Sequence, residues 1–166
     1  MLYFAFGSNL DPDQMRERCP GHHVVGMAML RDHKLVFPLF SERWGGGVAS
    51  VQLSHGKDMW GVLFELSDED LRALDGYEGF RAPGDAHNLY ERELIWVELV
   101  RPVDGSVPRR VRACAYLAHT ANPSPPSRRY VDALIKGARH HRLPDDYIAL
   151  LGRLPVLPEE EAPKGE

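Results

Sequence analysis

Apolar positions along the chain fall into two kinds of run. Through the first two-thirds they form short, bulky stretches at strand spacing, over residues 2–6, 24–30, 35–40, 48–53, 59–66, 94–100 and 111–117. Punctuation separates them. Gly45-Gly46-Gly47 and Ser54-His55-Gly56 bracket the fourth run, and Asp104-Gly105 favours a turn between the last two. The polar tetrad Arg31-Asp32-His33-Lys34 suits a hairpin between the second and third. Helical signals are fewer. Asp11 is an N-cap with Pro12 at the first helical position and Gln14 reaching back, which predicts a helix over 12–19. Ser67 caps a helix over 68–75 with acids in its first turn, and Gly76 is expected as its left-handed stop. Ser127 opens a longer helix in which Tyr130, Leu134 and Ala138 lie four apart, on one face. Leu143-Pro144 ends or kinks it before a last helix over 145–151. The pattern predicts an α+β domain: a small curled mixed β-sheet or β-barrel with peripheral helices.

Length allows one domain, expected over 1–154, because 166 residues leave no room for two cores. Residues 155–166 contain spaced prolines and then Glu159-Glu160-Glu161, with no periodic apolar face, and are expected to form an acidic, disordered tail. Net charge is −4, which argues against a nucleic-acid partner. Two cysteines, Cys19 and Cys114, are too few for a disulfide framework and lack metal-ligand spacing. The eight histidines include the adjacent pairs His22-His23 and His140-His141, whose members cannot share a face, and no metal site is expected. With no signal-peptide pattern and no long apolar run, the expectation is a cytoplasmic protein without a membrane partner.

Two segments carry candidate chemistry. Phe6-Gly7-Ser8-Asn9-Leu10 lies between a strand and a helix start, where backbone N–H groups either close an ordinary turn or cradle an anion. It lacks the further glycines and the lysine of a phosphate loop, and Ser8 has no Gly-x-Ser-x-Gly context. In Leu74-Asp75-Gly76-Tyr77-Glu78-Gly79-Phe80 a carboxylate sits between glycines and aromatic residues. It is either a solvated surface group or a desolvated one suited to acid–base work.

Taken in order, these segments resemble the γ-glutamylcyclotransferase family. The resemblance is carried by residues 2–10, Trp44-Gly45-Gly46-Gly47-Val48-Ala49, Trp60-Gly61-Val62, residues 74–79 and 90–97, Ala115-Tyr116-Leu117, and Pro125-Pro126-Ser127-Arg128-Arg129-Tyr130 with Gly137-Ala138 and Leu143-Pro144. It implies a small β-barrel and a cofactor-free enzyme. Such an enzyme closes a γ-glutamyl amino acid or amine to 5-oxoproline and releases the free amine. It further implies Glu78 as the acid/base and Tyr3, Phe4, Ala5, Phe6, Gly7, Ser8, Asn9 and Tyr116 as substrate-binding residues. The partner is then a small-molecule γ-glutamyl substrate, and a second copy in a homodimer stays open. A γ-glutamylamine or specialised-metabolite substrate stays open as an alternative, as does an idle small-acid-binding module. One departure stands out: Phe6 occupies the position where most relatives carry tyrosine, so one hydroxyl is lost.

Overall fold

A computed structural model describes residues 1–119 and 122–159. Seven strands and four α-helices follow the order expected of an α+β chain. Strands β1 (Leu2–Ala5), β2 (His23–Leu30), β5 (Met59–Glu65), β6 (Glu91–Pro102) and β7 (Arg109–Leu117) close into a barrel in the order β1-β5-β2-β6-β7. All its neighbours are antiparallel except β1 and β7, which close the barrel in parallel at Tyr3 and Cys114. The interior is filled by Phe4, Leu63, Leu99 and Ala113 among other fully buried apolar residues. Closure leaves no open sheet edge on these strands.

Strands β3 (His33–Ser41) and β4 (Gly46–Leu53) form a separate antiparallel pair. The expected hairpin between the second and third strands is therefore wrong. The polar tetrad does turn the chain, with Asp32 at φ 57°, but the turn sends it out of the barrel. Its direction is fixed by the β4–β5 connection: Ser54 and Gly56 donate to the Asp32 carbonyl and carboxylate, at 2.7 and 2.9 Å. The β3–β4 pair is tied back to the barrel where the Ser50 hydroxyl bridges the Ala118 N–H and carbonyl at 3.0 and 3.2 Å.

Helix α1 (Pro12–Arg18) starts as expected, with the Asp11 carboxylate accepting from the Asp13 N–H. Helix α2 (Asp68–Glu78) does not stop at Gly76. It runs to Gly79, at φ 66°, whose N–H returns to Asp75 and Gly76. A left-handed cap is needed only once, and the later glycine supplies it. The extra turn is held by Tyr77, which packs under the Arg18 guanidinium at 4.8 Å. Helices α3 (Arg128–His140) and α4 (Asp145–Gly152) cover one side of the barrel. Between β1 and α1 a single 3₁₀ turn, Ser8–Leu10, lies against α3. There Gly137 has no side chain because an added Cβ would sit 2.2 Å from the Leu10 carbonyl carbon. Of the expected tail, residues 155–159 are described, and the Leu157 N–H donates to the Pro126 carbonyl at 2.9 Å. Residues 160–166 fall outside the described residues.

Candidate active site

A cleft of about 250 Å³ opens between the barrel mouth, the β3–β4 pair and the C-terminal end of α2. Glu78 points into it from the last residue of α2, with 16% of its side chain exposed. Its two oxygens differ. Oε1 accepts from the Asn9 side-chain amide at 3.0 Å and lies 3.7 Å from Arg18 Nη1. Oε2 has no partner among the described residues. Burial pushes the carboxyl above its ordinary range, while Arg18, the Asn9 hydrogen bond and Arg43 pull it part of the way back.

Asn9 is saturated. Its Nδ2 donates to Glu78 and, at 2.9 Å, to the Tyr3 hydroxyl; its Oδ1 accepts from Gln14 Nε2 at 3.0 Å and Arg18 Nη1 at 3.2 Å. The orientation of the amide is forced, because Arg18 can only donate and the carboxylate of Glu78 accepts. Gln14 also donates to the Ser8 hydroxyl at 2.8 Å, so α1 holds the whole 3₁₀ turn in place. Sequence reasoning missed Gln14 and Arg18 as site residues. Their spacing of four, one helical turn on the face that also carries buried Arg18, was the available signal.

On the far wall, Tyr116 donates to Asp75 Oδ1 at 2.7 Å, and Asp75 Oδ2 is bound by Arg92 Nη1 at 2.5 Å. Burial and the Asp75 carboxylate together hold the Tyr116 hydroxyl far above the ordinary tyrosine range. Asp75 lies three residues before Glu78, so one face of α2 supplies both carboxylates. Two further tyrosines line the cleft from Ala49 of β4. The Tyr130 hydroxyl accepts the Ala49 N–H at 3.0 Å, and the Tyr90 hydroxyl donates to the Ala49 carbonyl at 3.1 Å. Neither tyrosine was among the expected site residues, although both lie in segments that carry the resemblance.

Of the residues the resemblance implied, Glu78, Tyr3, Phe6, Gly7, Ser8, Asn9 and Tyr116 line this one cleft. Phe4 and Ala5 do not line it: both are buried, Phe4 against Phe6 and Gly61, and Ala5 beside Val62 of β5. Strand alternation turns Phe4 away from Tyr3. Phe6 keeps an apolar wall where a hydroxyl would otherwise stand.

The chain matches the AIG2-like family over residues 58–151. It is 31% identical to the γ-glutamylcyclotransferase of Mus musculus over 150 residues, which is 88% of this chain and 74% of the relative. The enzyme of the same name from Homo sapiens is 29% identical over the same length. A solved γ-glutamyl cyclotransferase superposes with a TM-score of 0.85 at 26% identity, covering 98% of this chain and 92% of its own. YkqA of Bacillus subtilis, at 22% identity, shares the fold with a TM-score of 0.71. A barrel with an acid-bearing cleft at its mouth, and relatives of this closeness, define the class as cyclotransferase. The chain belongs to the γ-glutamylcyclotransferase family, an AIG2-like family of enzymes.

Proposed function

We propose that the cleft binds the glutamyl head of a γ-glutamyl amino acid or amine and cyclises it to 5-oxoproline, with Glu78 as the single general acid and base. The observation that carries this reading is the asymmetry of Glu78. One oxygen is anchored by Asn9, and the other faces the cleft with its proton affinity raised by burial. The substrate brings its own nucleophile, so proximity is covalent and no protein nucleophile is needed. Glu78 takes a proton from the α-ammonium. The freed nitrogen pair forms a bond to the γ-carbonyl carbon, and the carbonyl π pair moves onto oxygen. As that pair returns, the bond to the leaving nitrogen breaks, and Glu78 hands the proton to it. The ring nitrogen then sheds its remaining extra proton to the same carboxylate, which passes it to the departing amine, so the product leaves as its ammonium and Glu78 is ionised again. Hydroxyl donors in the cleft stabilise the transient oxyanion.

Presenting a panel of γ-glutamyl amino acids and γ-glutamylamines and following 5-oxoproline identifies the leaving group. Glu78→Gln keeps the shape and the contact to Asn9 but cannot accept a proton. It is expected to lower kcat by about 10²–10⁴ with little change in KM. Near wild-type turnover in that variant removes Glu78 from the mechanism. A protein that binds glutamate but releases no 5-oxoproline from any member of the panel favours a binding module.

A further inference from the structure

Of the tyrosines that line the cleft, four have a hydroxyl that is committed to one hydrogen-bonding direction by a partner that can act in only one way. A hydroxyl has one hydrogen to give and lone pairs to accept with. Tyr116 gives its hydrogen to Asp75, which as a carboxylate tied to Arg92 has none of its own. Tyr90 gives its hydrogen to the Ala49 carbonyl. Each therefore shows the cleft only lone pairs. Tyr3 and Tyr130 are the reverse: they accept the Asn9 amide and the Ala49 N–H, which leaves their own hydrogens to turn towards the cleft.

We propose that the Asp75–Arg92 pair sets Tyr116 as an obligate acceptor, beside Tyr3 as a donor, so that the site selects a head group carrying an N–H on the Tyr116 side and a carbonyl or carboxylate oxygen on the Tyr3 side. Asp75 is then a positioning residue that acts through Tyr116. The inference rests on the glutamyl reading above, whose product ring carries both groups: the lactam N–H and the ring carbonyl. The Tyr3 and Tyr116 rings meet edge to face at 5.7 Å, so the two residues are neighbours in the cleft wall, as the N–H and carbonyl are neighbours in a lactam.

The test compares 5-oxoproline with its ring-oxygen isostere, 5-oxotetrahydrofuran-2-carboxylate, by calorimetric titration of the full chain. The isostere keeps the carbonyl and carboxylate but puts an acceptor where the lactam has a donor. Wild type is expected to prefer the lactam by about tenfold, because two facing acceptors repel and leave a buried group unpaired. Tyr116→Phe removes the acceptor and brings the ratio to within about threefold. Asp75→Asn inverts the polarity. Arg92 keeps the amide oxygen on its own side, the amide nitrogen donates to Tyr116, and the freed hydroxyl hydrogen now faces the ligand. The preference is expected to pass to the lactone, and the double variant Asp75→Asn/Tyr116→Phe to return to the Tyr116→Phe ratio. Tyr3→Phe is expected to weaken both rings about equally, since both carry the carbonyl. If Asp75→Asn does not fold, Tyr116→Phe, which leaves the Asp75–Arg92 pair intact, decides alone.

A wild-type ratio that persists in Tyr116→Phe overturns the polarity while leaving the cyclisation reading standing. Failure of the wild type to bind either ring, together with no 5-oxoproline release, overturns both.

Discussion

Arg18 and Glu78 approach to 3.7 Å at a site where both are largely withdrawn from water, and on the proposed mechanism that contact sets the pH profile. The proposed base works only when ionised, so kcat/KM is expected to fall as pH drops through the pKa of Glu78. Burial places that pKa above the ordinary value, so the acid limb is expected above about 4.5. Arg18, Asn9 and Arg43 oppose burial. Removing the Arg18 charge with Arg18→Met is therefore expected to move the acid limb further up, and Arg18→Lys to restore it in part. Stopped-assay profiles between pH 4 and 8 measure both, and an unmoved limb in Arg18→Met assigns Arg18 a packing role. At this scale the resemblance named Glu78, Asn9 and Tyr116, because short motifs bring them. It did not name Arg18, Gln14, Asp75 or Arg92. Each of these acts through a neighbour 5 or more residues away, and a polar or charged residue in a helix or strand pattern looks the same whether it faces water or a cleft.

Elements carry the site by how they end. Two glycines of α2 and α3 make opposite predictions. Gly137 faces the backbone of Leu10 so closely that a methyl group has no room. Gly137→Ala is expected to cost roughly 1–3 kcal/mol and to lower kcat/KM as well, because the displaced turn carries Ser8 and Asn9. Gly76 meets nothing within 4 Å inside α2, and Gly76→Ala is expected to stabilise by about 0.5–1 kcal/mol with turnover unchanged. Thermal melts alongside kinetics separate the two. The element types were legible because strand runs and cap residues are local signals. The destination of a turn is not. Asp32 and its neighbours read as a hairpin, yet hydrogen bonds from residues more than 20 positions away decide that the chain leaves the barrel. Likewise Gly76 and Gly79 are equivalent as sequence, and tertiary contacts at the later stop, the packing of Tyr77 on Arg18 and the Leu89 N–H donating to the Gly79 carbonyl, are not written in either glycine.

Across the whole molecule, stability is expected to vary with pH through one half-buried imidazole. His141 caps α3 against the Phe64 ring, with His140 and His22 nearby. Burial first, and then His140, hold it down to about 4. A pKa lower in the folded state than in the unfolded one means that the unfolded chain binds the proton more readily. Stability is then complete above about 6.5 and declines as pH falls from there towards 4. Melting temperatures over that window are expected to fall in the wild type and to flatten in His141→Gln; parallel curves would place the acid sensitivity elsewhere.

The barrel's parallel seam has a consequence in time. Tyr3 pairs with Cys114, so β1 is synthesised well before β7 and is among the last strands to find both its neighbours. At a synthesis rate of roughly 5–20 residues per second, β1 waits on the order of 5–20 s for β7 to exist. During that interval the apolar residues of β1, Leu2–Ala5, lack one of their two neighbouring strands. A pocket whose acid and anchoring amide lie 69 residues apart has no half-built form to protect. Nascent chains stalled before residue 109 are therefore expected to engage holding chaperones and lack ligand affinity, and both properties should switch together once β7 is released.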